Sequence, residues 1–207
     1  MIEDTLGSLP VTHRETVFHG RVWDVERHTV DLPSGTTIVR DLLDHPGAVA
    51  VLAVNERDEV LLVHQYRHPV GATMWELPAG LLDVEGEDPL VGAQRELAEE
   101  TDTVAATWGV LCDISTSGGG SSEMLRIYLA TDVSDAPETF ARTDEEADME
   151  ARWVPRAEVV AAALSNRLHN ATMLTAVLAY EALRARDGAP QPADVPFDWH
   201  RPARPER

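Results

Sequence analysis

Arg95-Glu96-Leu97-Ala98-Glu99-Glu100 places three glutamates and an arginine within two turns of a helix, behind Gly80 and Glu87. At 100° per residue, Glu96 and Glu100 share one side of that helix and border its apolar face, with Glu99 one step around. The ordinary fate of such residues is a solvated acidic face, and three costs weigh against it here. Like charges at i, i+4 repel by about 0.2–0.5 kcal/mol per pair. Acids in a last turn oppose the helix dipole at roughly 0.3–1 kcal/mol each. The chain has no lysine, and Arg95 is the only basic residue in the stretch. Carboxylates crowded at such cost suit a hard divalent cation, which takes oxygen ligands and shares its shell with water and substrate phosphates.

The rest of the composition narrows the classes. With 207 residues and 43% hydrophobic content, the chain can bury one good core and a small appended layer. A net charge of −19, with all 17 basic residues arginine, argues against nucleic acid as the main partner, because phosphate-backbone binding needs a basic surface. No apolar run approaches the ~20 residues that span a bilayer, so no membrane partner is expected. The opening MIEDTLGSLP has no hydrophobic h-region, and Cys112 is the single cysteine. Both point to a cytoplasmic protein without a disulfide framework.

These acids must be held by other elements. Residues 1–16 read as a polar lead-in. Residues 16–30 alternate as one half-exposed strand, Leu32 to Gly35 as a turn, and 36–43 as a return strand. Such a hairpin hides little apolar surface and needs something to pack on. Gly47–Val54 is an apolar run suited to a buried strand, followed by a turn at 55–58 and strands over 59–67 and 75–77. Asp88 as N-cap and Pro89 as first residue open the acidic helix, with Leu90, Ala93, Leu97 and Thr101 on its apolar face. Strands are expected over 108–114, 124–130 and 151–154, a Ser/Gly loop over 115–122, and an acidic loop over 132–148. Helical patterning covers 156–186 with a break near 165–167, and the proline-rich tail from 187 reads as extended or disordered. The order of elements predicts an α+β fold, an α/β/α sandwich with a mixed sheet. Expected boundaries are a β layer over 1–45, the main domain over 46–187 and the tail over 188–207.

Gly80, Glu87, Arg95-Glu96-Leu97 and Glu99-Glu100 together resemble the signature box of the Nudix hydrolases, G-x5-E-x7-R-E-U-x-E-E-x-G-U with U apolar. The gap from Glu87 to Arg95 and the REL-x-EE core are kept. Three positions depart: one extra residue follows Gly80, Asp102 stands for glycine, and Thr103 for an aliphatic residue. The glycine position follows the helix and favours a left-handed backbone, which Asp enters at a cost of about 1 kcal/mol. None of the departures removes a carboxylate. Gln65 to Pro69, Trp75 to Gly80, the loop ending in Glu123, and Asp144 to Asp148 resemble the ADP-ribose pyrophosphatase branch, over roughly residues 16–185.

What this resemblance implies is hydrolysis of ADP-ribose to AMP and ribose 5-phosphate with Mg²⁺ or Mn²⁺. Carried over, the metal ligands are Glu96, Glu99, Glu100 and the Ala79 carbonyl, while Gly80, Glu87 and Arg95 brace the box. The general base is Glu145, with Glu146 as the alternative; without the family both would read as a solvated charge run. Arg67 is implied at a phosphate, Arg40 on adenine, Arg21 and Trp23 as contacts from an opposite subunit, and Gly118, Gly119 and Glu123 on the ribose side. Related enzymes are homodimers with exchanged N-terminal sheets, which suits a hairpin needing a surface. Competing readings are a hydrolase of another nucleoside diphosphate sugar such as GDP-mannose, a silent nucleotide-sugar sensor, or an acidic interaction module. Cys112, in an apolar strand, reads as inert core.

Overall fold

A computed structural model describes residues 2–140 and 149–200 of the chain. The N-terminal layer is a three-stranded antiparallel sheet of β1 (Val11–Phe18), β2 (Asp24–Asp31) and β3 (Thr37–Asp44), in that order. This corrects two expectations. The supposed lead-in already contributes a strand from Val11, and the alternating run over 16–30 breaks into two strands. The break falls at Gly20, where the chain doubles back so tightly that a Cβ would sit 2.2 Å from the Trp23 carbonyl oxygen. Apolar–polar alternation continues across that turn, so periodicity alone hides it.

The core is a sandwich around β4 (Ala48–Ala53), whose six residues are all buried. Its residues alternate between two clusters, as strand geometry requires of a strand covered on both faces. Ala48, Ala50 and Leu52 pack with Leu62, Ile127 and Met173, whereas Val49, Val51 and Ala53 pack with Ala93, Leu97 and Tyr128. β4 lies in a five-stranded mixed sheet, parallel to β9 (Met124–Asp135) and antiparallel to β7 (Ala79–Leu81), with β8 (Thr103–Ser115) and β11 (Gln191–Pro192) beyond β9. A second sheet orders β10 (Glu150–Pro155), β5 (Glu59–Arg67) and β6 (Ala72–Glu76). Helix α1 (Pro89–Thr101) covers one face of the core, and α2 (Arg156–Leu164) and α3 (Ala171–Arg184) cover the other. The α/β/α sandwich with a mixed sheet is therefore present. No helix among the described residues is long and apolar enough to cross a membrane.

Other boundaries differ: β8 starts at Thr103 rather than 108, and β6 covers 72–76 rather than 75–77. β9 runs on to Asp135, through the first residues of the stretch expected as an acidic loop. The tail is ordered through His200 among the described residues. Its proline residues do not prevent packing, because β11 needs only an edge pairing on β8. Arg126, 2% exposed, donates to the carbonyls of Val195 and Pro196 at 2.6 and 2.9 Å, forks onto Asp113, and stacks on Phe197 at 4.3 Å. A buried guanidinium needs every one of these acceptors, and the tail supplies half of them.

Candidate active site

Helix α1 starts where its capping residues dictate. Asp88 has extended backbone angles and its carboxylate accepts the Leu90 N–H at 2.8 Å, with Pro89 at the first helical position. Ala93 and Leu97 are fully buried. The helix ends at Asp102, whose φ of 52° and ψ of 34° are left-handed and whose N–H donates to Ala98 O at 2.9 Å. Asp102 thus does the backbone work of the glycine it replaces. Its side chain adds a bond that glycine lacks, accepting the Phe140 N–H at 2.9 Å.

Ahead of the helix, Ala79–Leu81 forms the short edge strand β7 beside β4. The Glu100 carboxylate, 6% exposed, accepts the Ala79 N–H at 3.0 Å and ties the last turn of α1 to this strand. Glu96 lies directly over Gly80: a Cβ there would be 2.0 Å from the Glu96 carboxyl carbon. The glycine is required for close approach, since its φ is not among the positive ones. Gly92 does the same on the helix, where a Cβ would meet Glu87 Oε2 at 2.9 Å.

Arg95 joins the acids. Its Nε and Nη2 fork onto Glu87 at 3.0 and 3.1 Å, and its Nη1 donates to Glu96 Oε1 at 2.7 Å and Glu99 Oε2 at 2.9 Å. The Glu87 hydrogen bonds are the main reason that the Arg95 pKa lies well above its ordinary value, with Glu96 and Glu99 adding to them and burial opposing. Glu87 spans the connection before the helix and the helix itself through this fork.

As a metal site the donor set fits in kind: three carboxylates and the Ala79 carbonyl are all hard oxygen donors. No basic residue other than Arg95 approaches the end of the helix from within it. Among the described residues no three acidic, histidine or cysteine side chains already converge tightly enough to hold an ion. Instead Arg95 bridges Glu96 and Glu99, a cation standing between two of the acids expected as ligands.

β7 forms part of the floor of a cleft of about 340 Å³, lined by Ala79, Gly80, Arg67, Glu123 and Trp23 among the residues singled out from sequence. Glu96, Glu99 and Glu100 are not themselves in its lining; Glu96 and Glu100 connect to it through Gly80 and Ala79. Arg67 forks onto Glu76 with Nε at 3.0 Å and Nη2 at 2.7 Å from its oxygens, and Glu76 is 4% exposed. Arg21 and Arg40 are exposed on the N-terminal layer and do not line the cleft, Arg40 donating to Val39 O at 2.8 Å. Gly118 and Gly119 are exposed and likewise outside its lining; Thr116 and Glu123 represent the Ser/Gly loop there. Glu145 and Glu146 lie outside the described residues.

Sequence reasoning missed several cleft residues. Glu76 is a buried acid between Trp75 and the buried Leu77, and an acid amid such apolar neighbours is itself a signal. His45, Thr116, Asn170 and Thr172 complete the wall. Asn170 caps α3 by accepting the Met173 N–H at 2.9 Å, so the positive end of a helix dipole faces the cleft. Asn three positions before the buried Met173 is a readable capping pattern. Cys112 plays no part; burial, then the Asp113 charge, push its thiol up to about 11, which keeps it protonated at neutral pH.

Comparison with known proteins agrees with this arrangement. A family model described as NUDIX domain matches residues 44–176. An ADP-ribose pyrophosphatase of Mycobacterium tuberculosis is 41% identical over 185 residues, 89% of this chain and 88% of that protein. A methanol dehydrogenase activator of Bacillus methanolicus is 40% identical over 132 residues, covering 64% of this chain and 70% of that one. A solved structure of an ADP compounds hydrolase superposes with a TM-score of 0.72 at 21% identity, over 90% of this chain and all of that one, and shows the same fold. With Glu96 and Glu100 seated on Gly80 and Ala79 and the family match over most of its length, this chain belongs to the Nudix family.

Proposed function

We propose that this protein hydrolyses the diphosphate of ADP-ribose to AMP and ribose 5-phosphate, using Mg²⁺ or Mn²⁺ held by Glu96, Glu99, Glu100 and the Ala79 carbonyl. The observation that carries it is the seating of Glu96 on Gly80 and Glu100 on Ala79, two residues that also line the cleft. The 41% identical relative named ADP-ribose pyrophosphatase, matched over most of both chains, supports the substrate.

A metal held by these carboxylates and the Ala79 carbonyl would neutralise diphosphate charge and lower the pKa of a water. The chain's own groups do the rest. Arg67, anchored by the buried Glu76, offers positive charge to a phosphate in a chain that is otherwise strongly acidic. The N-terminus of α3 adds a partial positive charge at the same cleft. Glu145, or its neighbour Glu146, takes the proton of the attacking water. Glu123, with Gly118 and Gly119 in its loop, accepts hydroxyl hydrogens of the ribose.

The working unit is a homodimer with exchanged N-terminal sheets. All eight residues of β1 are exposed, among them Val11, Val17 and Phe18. A sheet with that face uncovered calls for a partner. Exchange would carry Arg21 and Arg40 toward a second cleft, with Arg40 stacking on adenine. A cytoplasmic location fits a chain with one cysteine.

The test is incubation with Mg²⁺ and a panel of nucleoside diphosphate sugars. ADP-ribose should release AMP faster than GDP-mannose releases GMP. Turnover of GDP-mannose alone would reassign the substrate, and turnover of none would end the enzymatic reading.

A further inference from the structure

His45 stands in the cleft wall with its ring 7% exposed, tilted against Trp23 at a centroid distance of 5.1 Å. Its Nδ1 accepts the Gly47 N–H at 3.0 Å. A neutral imidazole accepting at Nδ1 carries its proton on Nε2. That Nε2 lies 3.4 Å from Glu123 Oε1. The other carboxylate oxygen, Oε2, accepts the Thr116 hydroxyl. Glu123 thus has the Thr116 hydroxyl bonded to one carboxylate oxygen and the His45 ring nitrogen beside the other.

The backing of His45 is equally determined. Its N–H donates to Ser122 Oγ at 2.9 Å, and the Ser122 N–H donates to Leu43 O at 3.0 Å. Behind it, His200 Nε2 donates to Pro46 O at 2.7 Å. Gly47 has a φ of 92°, and a Cβ there would be 2.5 Å from the His200 ring. The ordered tail therefore fixes the 45–47 turn, and the turn fixes the imidazole.

We propose that His45 is a positioning residue that holds the Glu123 carboxylate for the hydroxyls of a sugar, while Thr116 holds its second oxygen. The inference rests on the reading of Glu123 as a ribose-side residue given above. A carboxylate with a polar neighbour beside each oxygen is held in one orientation and keeps lone pairs for adjacent hydroxyls to donate to. Fixing it in advance removes the ordering cost from substrate binding.

The experiment is a double-mutant cycle on the full chain with ADP-ribose and Mg²⁺. His45→Ala should raise KM about tenfold with kcat changed less than about threefold. His45→Gln, which retains a donor, should recover part of that loss. In a Glu123→Gln background, His45→Ala should add less than about twofold, because the two residues act as one unit. Multiplicative losses in the double variant, or an unchanged KM in His45→Ala, would overturn the assignment. If His45→Ala fails to fold, Thr116→Val with the same Glu123→Gln background decides in its place, by the same criterion. A second readout does not depend on turnover. ¹⁵N spectra of histidine-labelled protein should show His45, identified by its loss in His45→Gln, as the Nε2–H tautomer, and Glu123→Gln should shift its Nε2 signal. The Nδ1–H tautomer, or no shift, contradicts the proposal. Absence of ADP-ribose turnover in the unaltered protein would overturn the functional reading alone, and these spectra would still decide on His45.

Discussion

The Glu100 carboxylate accepts the Ala79 N–H at 3.0 Å. This bond locks the acid-bearing end of α1 against β7, so one of the box carboxylates is engaged in alignment. It sets Ala79 and Gly80, which line the cleft, against Glu100 and Glu96, with Arg95 tying Glu96 to Glu99.

Gly80→Ala tests how tightly that contact is packed. The new methyl would lie 2.0 Å from the Glu96 carboxyl carbon, and Glu96 is held by Arg95. Overpacking should cost about 1–3 kcal/mol. Displacement of Glu96 should also raise the Mg²⁺ concentration for half-maximal activity. Urea unfolding and a Mg²⁺ titration of activity check the two halves; a variant with ordinary metal dependence would remove Glu96 from the ligand set.

Asp102 combines a left-handed backbone with a side-chain bond to Phe140 N–H. Asp102→Gly relieves backbone strain and loses the bond, two effects of about 1 kcal/mol that oppose each other. Its stability should therefore change by less than about 0.5 kcal/mol. Asp102→Ala keeps the strain and loses the bond, and should cost about 1–2 kcal/mol. Denaturant midpoints of the pair separate the contributions.

How much of this was legible depends on sequence distance. The helix was readable to its first residue because Asp88 and Pro89 act locally, and β4 because six buried residues in a row leave a plain apolar run. The box acids could be singled out because they lie within one helix. The partner of Arg67 is Glu76, across a hairpin, and His45 meets Glu123 through pairing of the 43–45 segment with the Ser/Gly loop. No periodicity encodes such meetings. The tail misled because proline content reports poor ladder formation, whereas its packing comes from the demand of the buried Arg126 for acceptors.

Removing residues 189–207 tests that demand. Arg126 would lose the carbonyls of Val195 and Pro196 and the Phe197 ring while keeping Asp113. Loss of acceptors from a buried charge should destabilise by about 2–4 kcal/mol. Thermal unfolding of the truncated chain checks it; an unchanged midpoint would show the tail to be passive.

Acid stability should depend partly on Asp58. Its carboxyl is held below the ordinary carboxylate range, first by the hydrogen bonds of Arg156, with Arg184 adding and burial opposing. A depressed folded pKa stabilises above the unfolded value of about 3.9 and is lost as pH falls through the folded value. Since the side chain is 42% exposed, solvent limits the contribution to about 1 kcal/mol. Asp58→Asn should be less stable than the unaltered chain at pH 6, with the difference shrinking below pH ~3. Urea unfolding at the two pH values gives the comparison.

The central claim is that the box carboxylates hold a divalent metal used to cleave a diphosphate. Its most direct test is AMP release from ADP-ribose, with and without Mg²⁺, by the unaltered chain and by Glu96→Gln. The account predicts Mg²⁺-dependent release, abolished by chelation and reduced at least about 100-fold in the folded variant, the scale of losing a charge-stabilising group. Metal-independent release, or a Glu96→Gln variant of undiminished activity, would contradict it.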